Sequence, residues 1–589
     1  MSAPFMLGRP CRSDRPASRR AAAATDACPR LPCPAAFLAA LAALAALLAL
    51  AAAAAPLAGS GSPAARAPAF VPPVAEALLA GEIDQARLQR LVHELVRLGP
   101  RMGGTPSGDR AAAAIAADLA AAGLAPQTIE DPPQPAHWED AWSVEVAAPI
   151  VASRDRRTTS VAVRHSPEGS PGWSLVPGGP VASAYPYGFS PSVGPVAAPL
   201  VMVRDAAALA AAMTGGPAGS GEPAGTAGVT GAGGWRGKIV YVPGDVLGAY
   251  RHLAAAADHP LALITSAPND GRRYLDAASL RQLPAMPGGG ARPLPVFAVS
   301  YQDGRKLAAA ATAGATVRVM LRSTVRAGSP RTVLADLAGR AAREQDGYYL
   351  ICAHGDSDSG GPGADDNGSG EAVVLELARV LTGLVRSGRL PAPRVTLRFA
   401  VWGSEYASSG AYVAREGDRL RRCLGVINLD EVGTGAERNA IYFESNEVPW
   451  NRTLLRTFDR VGADYAGRPG FWPEYTTNPS QGGTDSYAFL PRRYKGELAS
   501  DLEIPATTVY TAAWGRPGHL RQTPGWESPA TPDPVHLTID YSRYYHSSGD
   551  TPGNTTDRKP EAMVRAARAI GIALLRLAFP APPAASTRP

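Results

Sequence analysis

The chain has 589 residues, 45% hydrophobic and 19% charged, a length that suits two to four domains and a composition that can bury a core. Of its formal net charge of +6, residues 1–33 supply +4, with six Arg against two Asp, which leaves +2 for the remainder. No dense Lys/Arg tract with interleaved aromatics follows, so the electrostatic footprint of a nucleic-acid binder is missing.

The Arg- and Pro-rich lead runs into "AAFLAALAALAALLALAAAAAPLAG", which starts at Ala35. A basic stretch, an apolar run and small residues after it spell an export signal. About 20 apolar residues also suffice to span a bilayer. A cleaved signal and a retained membrane anchor through residues 35–57 are therefore both open. Either way the body is expected outside the cytoplasmic membrane: periplasmic, extracellular or anchored facing outward. Residues 1–70 are set apart from the fold as a leader.

Residues 71–150 begin helically. "LQRLVHELVRLG" puts Leu88, Leu91, Val92, Leu95 and Leu98 on one stripe, and "DRAAAAIAADLAAAGL" reads as a second helix stopping at Gly123. His93, beside the stripe, suits a surface or packing role. Residues 151–325 change character: "GKIVYV", "PLALITS" and "LPVFAVS" are short apolar β-type runs among Gly/Pro-rich loops, including the low-complexity "GGPAGSGEPAGTAGVTGAGG". This reads as a separate β-rich domain. Its His165, His252 and His259 stand at no ligand spacing.

Residues 326–580 alternate strands and helices. "GYYLICAH" is a continuous apolar run, as in a strand buried on both faces. "GSGEAVVLELARVLTGLV" is an amphipathic helix with Val374, Leu377, Leu381 and Leu384 on one side. Strands "RVTLRFAVW", "CLGVINLD", "NAIYFES" and "IPATTVYT" follow, then a closing helix "EAMVRAARAIGIALLRLAF". The expected fold is α/β: three layers, a mostly parallel sheet with helices on both faces, with ligands at the carboxyl ends of the strands. Residues 581–589 are expected to be a disordered tail. Of five Cys, three lie in the leader; Cys352 and Cys423 remain, in no CxxC pair, and read as buried thiols rather than a zinc site.

Polar residues end these strands. "YYLICAH" ends in His354, followed by Asp356. "GADDNGSG" gives Asp365 and Asp366 before a helix. "TLRFAVWGSE" ends in Glu405 and "LGVINLD" in Asp430. "YSRYYHSSGDT" supplies His546 and Asp550. One Asp after a strand is usually a cap or turn residue; five endings that are all His, Asp or Glu, converging on one sheet edge, suggest a metal site. Imidazole with carboxylate suits Zn²⁺, and the set is large enough for two ions sharing a bridging carboxylate. Asp356 is placed to orient the His354 ring, and Asp550 to do the same for His546. Other signals are bland. "GSG" at 368–370 has no Walker Lys, and Ser408 and Ser409 lack the nucleophile-elbow pattern. Trp514, His519, Trp526 and His536, in a Pro/Gly-rich loop before His546, would line a pocket or cover the surface.

"HGDSDSGGPGADDNGSG", "GSEYASSGA", "NLDEVG" and "YYHSSGDT" resemble, in order and context, the co-catalytic di-zinc exopeptidases of metallopeptidase family 28, over residues 75–150 and 326–580. The region between is similar to the protease-associated insert of such chains. The resemblance implies a zinc-dependent exopeptidase, aminopeptidase in type, that hydrolyses peptides or small amides through water activated by two Zn²⁺ ions. It implies His354 and Asp430 on one ion, Glu405 and His546 on the other, and Asp366 bridging. In "GGTDSYAF", Ser486 stands where the family has His.

One departure matters. The family has two adjacent Glu after the strand that here reads "TLRFAVW", the first a general base and the second a ligand. Glu405 matches the ligand, so Ser404 occupies the base position. A hydroxyl lacks useful basicity near pH 7, and general-base catalysis contributes about 10²–10⁴-fold. Three readings follow. Another carboxylate supplies the base, with Glu431 and Glu447 as nominal candidates, although strand alternation points Glu431 away from Asp430. Or Glu405 serves as base and one metal position is weakened. Or the chain is a metal-binding pseudo-peptidase, an extracytoplasmic binding or scaffold protein. The complete ligand set favours an enzyme.

Overall fold

The structure, a computed structural model, describes residues 73–147, 181–203, 234–269, 274–284, 292–340, 347–357, 360–434, 439–445, 452–479, 484–489, 504–511, 522–523, 537–538 and 544–579. The leader with its 35–57 segment, most of the Gly-rich low-complexity stretch, the tail 581–589, Glu447, and the Trp514–His536 loop residues named above lie outside the described residues. Among the described residues no helix is long and apolar enough to cross a membrane.

Three helices come first: α1 (Val74–Glu82), α2 (Gln85–Arg97) and α3 (Pro106–Ala121). Asp84 caps α2 by accepting from the Arg87 N–H, which satisfies one of the unpaired donors of a helix start. The stripe Leu88, Leu91, Val92 and Leu95 is buried as the periodicity requires, while Leu98 falls past the helix end. Thr105 caps α3 with Pro106 at its first position, where proline's missing N–H costs nothing. His93, exposed, faces Asp557.

After β1 (Gln127–Glu130), β2 (Gln134–Val146) opens a second sheet with β3 (Tyr185–Pro186), β4 (Val193–Met202), β5 (Ile239–Val242), β6 (Ala262–Thr265), β7 (Val296–Ala298) and β8 (Thr316–Gly328). Its order is β2-β8-β4-β5-β6-β7-β3. Helix α4 (Val246–Ala255) buries Val246, Ala249, Tyr250 and Leu253 against this sheet, and α5 (Tyr301–Thr312) packs on β4 and β5. Two findings adjust the sequence reading. The second sheet starts at Gln134, because β2 pairs antiparallel with β8 along nearly its whole length. And β4-β5-β6-β7 run parallel under two helices, so this body is α/β rather than β-rich alone.

The main sheet adds β9 (Arg331–Leu337), β10 (Tyr348–His354), β11 (Thr396–Trp402), β12 (Cys423–Leu429), β13 (Ile441–Ser445), β14 (Tyr475–Pro479) and β15 (Ala506–Tyr510), in the order β1-β9-β11-β10-β12-β15-β13-β14. Its four middle strands, β11-β10-β12-β15, are parallel. The flanks β9 and β13 run antiparallel to them, so the sheet is mixed. Helix α6 (Gly370–Arg386) packs on β10, β11 and β12 from one side, and α9 (Glu561–Ala578) lies against α6, α1 and α8 (Thr453–Tyr465). On the other side, Tyr412 and Val413 of α7 (Ala407–Glu416), with Ala488 and Phe489, pack against Tyr348, Leu350, Cys352 and Val426. Every residue of β10 is buried, as its unbroken apolar run predicts. Cys352 and Cys423 are buried free thiols.

Candidate metal centre

The parallel middle strands point the same way, so their carboxyl ends share one rim. His354 is the last residue of β10. Asp430 directly follows β12, and Glu405 comes three residues after β11. Asp366 sits in the turn Ala364–Ser369 that leads into α6, and His546 rides on a loop before α9.

The geometry gathers them. His354 Nε2 is 3.3 Å from Asp366 Oδ1 and 3.5 Å from Asp430 Oδ1. His546 Nε2 is 3.3 Å from Asp366 Oδ2. Asp366 therefore turns one oxygen to each imidazole. Ligand atoms of His354, Asp366 and Asp430 all fall within 4.8 Å of one another. Glu405 is tied to this group through its main chain, its N–H donating to Asp356 Oδ1 at 2.8 Å. Tyr406, Glu431 and His546 all have positive φ, at 45°, 47° and 49°. Strained backbone of this kind collects at functional sites. It also means that strand alternation does not govern Glu431.

The supports differ in part from expectation. His354 Nδ1 lies 2.9 Å from the Asp356 carbonyl and 3.3 Å from Asp356 Oδ1, so Asp356 orients the ring chiefly by its backbone. Asp550 was expected to orient His546, but its carboxylate serves the turn instead: Oδ1 accepts from the Asp365 N–H at 2.9 Å and Oδ2 from the Asp366 N–H at 3.1 Å. The chain reversal after His546 aims Asp550 at the turn. Asp365 is structural, accepting from the Gly433 N–H and the Thr434 hydroxyl. Ser486 accepts from the Thr508 hydroxyl.

Sequence reasoning missed Arg101. Fully buried, it donates to the carbonyls of Gly355, Pro362 and Gly363 and to Glu371 Oε1, fixing the loop between His354 and the Asp366 turn. Nothing marks one Arg in a Gly/Pro-rich stretch as special. Gln134 was missed as well. Its Nε2 donates to Ser404 Oγ at 3.0 Å, while the Ser404 N–H donates to Ser408 Oγ. Ser404 is buried, and its hydroxyl is engaged by the start of β2.

Charge is concentrated here. Burial works to raise the Asp366 carboxyl, but the His354 and His546 imidazoles prevail and hold it low. Burial works to lower His354, but Asp356, Asp366 and Asp430 lift it well above the usual imidazole range. Burial raises Asp430 despite His354, and also Asp485, near which His354 pulls down while Asp430 and Asp356 push up. Asp430 Oδ1 is buried without a hydrogen bond, an arrangement that is costly unless a cation satisfies it. Two imidazoles converging on carboxylates, one of whose buried oxygens takes no hydrogen bond, are the donors a divalent ion of the zinc type takes.

The model of peptidase family M28 matches residues 332–571. It is 26% identical over 279 residues to leucine aminopeptidase 2 of Trichophyton equinum, covering 45% of this chain and 48% of that protein. It is 30% identical over 241 residues to leupeptin-inactivating enzyme 1 of Streptomyces exfoliatus, covering 40% and 46%. The chain thus spans about half the length of the curated relatives it matches. Among solved structures, its fold resembles a peptidase M28 precursor from Shewanella amazonensis SB2B, with TM-score 0.53 and 17% identity over 87% of this chain and 98% of that one. It also resembles BSAP, a zinc aminopeptidase from Bacillus subtilis, with TM-score 0.50 and 18% identity over 85% and 97%.

Proposed function

We propose that the chain is a zinc-dependent exopeptidase of aminopeptidase type, acting on peptides or small amides with two zinc ions. The observation that carries this reading is Asp366, one carboxylate between two imidazoles that are far apart in sequence. His354 and Asp430 would hold one ion and His546 and Glu405 the other, with Asp366 shared. Bound there, zinc would polarise a scissile carbonyl and acidify a water. The chain's own residues do the rest. Asp356 and Asp550 fix the loops that carry the ligands. Arg101 keeps the His354 loop from moving. The Trichophyton relative named as a leucine aminopeptidase supports the N-terminal direction of cleavage.

A second reading rests on Ser404. Its hydroxyl bonds Gln134 and cannot accept a proton near neutral pH, so a metal-binding pseudo-peptidase is the alternative. The second sheet would then be a protease-associated-like binding body. Export of the mature chain, read from the leader, completes the proposal; cell fractionation with an antibody to the body tests it. For the activity, the purified chain is assayed on aminoacyl chromogenic substrates. Turnover that a chelator abolishes and zinc restores is expected. Bound zinc with no turnover across a broad peptide panel would reject the enzyme in favour of the alternative.

A further inference from the structure

The loop that carries His546 is built from both sheets. On one side Asp550 ties it to the Asp365–Asp366 turn. On the other side the second domain's segment Tyr274–Leu280 runs alongside it as a strap. The Leu280 N–H donates to the His546 carbonyl at 2.8 Å, and the Ser548 N–H donates to the Ala278 carbonyl at 2.9 Å. Ser279 and Ser547 pair as an antiparallel bridge between these hydrogen bonds.

Side chains lock the same contact. The Tyr544 hydroxyl donates to Asp276 Oδ2 at 2.7 Å, and the Tyr274 hydroxyl donates to the Tyr545 carbonyl at 3.0 Å. The Tyr274 and Tyr544 rings lie 5.3 Å apart in a small buried cluster with Ala277. Gly549 has to be glycine here, because a Cβ would come within 2.2 Å of Tyr544 Cδ1 and 2.8 Å of Ala277 Cβ. The strap is itself rooted in its own domain. The Tyr301 N–H donates to the Tyr274 carbonyl at 2.9 Å, and Asn269 Nδ2 donates to the Leu280 carbonyl at 2.8 Å.

Tyr544 and His546 both have left-handed backbone, with φ of 63° and 49°. Non-glycine residues hold that conformation only where their surroundings over-determine it. Here the strap is what surrounds them. By contrast, His354 ends β10 and Asp430 directly follows β12, both strands of the main sheet, and among the described residues no contact ties either to the strap.

We propose that the segment Tyr274–Leu280 positions the second metal site, with Tyr274 and Asp276 as its positioning residues. The second domain then sets where the His546 imidazole stands over Asp366. The inference rests on the two-metal reading above. Loosening the strap lets the loop sample other conformers, and affinity at that site falls by the fraction of time the right one is absent.

The test is calorimetric titration of the metal-stripped full chain with Zn²⁺. The wild type takes up two equivalents. In the double variant Tyr274→Phe, Asp276→Ala the first equivalent binds as before and the second weakens about 10–100-fold, as for other residues that hold ligands in place. Asp276→Asn keeps an oxygen for the Tyr544 hydroxyl and restores most of the loss. Should the double variant not fold, Tyr274→Phe alone, which removes one hydroxyl, is read by the same criteria. Two equivalents bound as tightly as in the wild type, or both weakened together, would overturn the inference while leaving the two-metal reading standing. Fewer than two equivalents in the wild type would overturn that reading and the inference with it.

Discussion

Arg101 and Glu371 form an ion pair, Nε to Oε1 at 3.1 Å, with both side chains fully shielded from solvent. The pair joins the loop after α2 to the first turn of α6, and Arg101 also donates to the carbonyls of Gly355, Pro362 and Gly363 around the His354 loop, the first of them from the same Nε. Removing one partner of a buried pair leaves the other charge uncompensated, at a cost of about 3–5 kcal/mol. Arg101→Met should therefore lower unfolding free energy by that amount in denaturant titrations at pH 8. Arg101→Met with Glu371→Met together should recover a large part of it.

The same carboxyl gives a pH signature. Burial pushes Glu371 up to about 7 from an ordinary 4.5, with Arg101 pulling the other way. A carboxyl whose folded value lies above its unfolded one contributes stability that is full below pH 4.5 and is lost as pH rises through about 7. Glu371 should thus take stability from the metal-free protein across that window, by about 3 kcal/mol at most. Glu371→Gln, which does not titrate, should lack that part of the slope. Thermal unfolding at intervals from pH 4.5 to 8 checks it; parallel curves for the two proteins would refute it.

Asp366 and Asp430 differ in what they face, and metal uptake should report the difference. Asp366 lies 3.3 Å from both imidazoles, whereas Asp430 approaches His354 at 3.5 Å. Asp366→Asn should weaken both zinc equivalents in equilibrium dialysis. Asp430→Asn, which alters a carboxylate that faces His354, should weaken chiefly the equivalent that His354 holds.

Asp550 supports the turn rather than His546, so its loss should be felt at Asp366. Asp550→Ala leaves the Asp365 and Asp366 N–H groups without their acceptor, at about 1–3 kcal/mol for each buried donor. The expected result is a stability loss of that order together with weaker zinc uptake. Asp550→Asn, which keeps one acceptor oxygen, should fall between.

Much of this was legible because the strands of the main sheet are buried on both faces. "YYLICAH" is an unbroken apolar run up to its last residue and "CLGVINLD" is one but for Asn428, so the polar residue that ends each is conspicuous, and both strands stand where they were read. The stripe on α6 was equally plain, with Val374, Leu377, Leu381 and Leu384 all buried. What stayed hidden is long-range partnership. Arg101 meets Glu371 across 270 residues and Gln134 meets Ser404 across another 270. No local periodicity encodes either contact. The start of the second sheet at Gln134 was hidden for the same reason, since a strand's sequence does not name the sheet it joins. Antiparallel β9 and β13 escaped because alternation of strands and helices constrains the middle of a sheet more than its flanks.

Ser404 decides between enzyme and silent binder. It is buried at the end of β11, one residue before Glu405, and its hydroxyl is held by Gln134 Nε2. A carboxylate introduced there would keep that amide donor as a partner, so Ser404→Glu should be tolerated and would place a base beside the ligand set. If the missing base limits the wild type, turnover of an aminoacyl chromogenic substrate should rise by about 10²–10⁴-fold, the usual contribution of a positioned base, in kcat rather than KM. If another carboxylate already does this work, the wild type turns over well and Ser404→Glu changes little. A wild type and a variant both inert with two zinc ions bound would mean that the base was never the only deficit, and the chain would then be read as a binding protein.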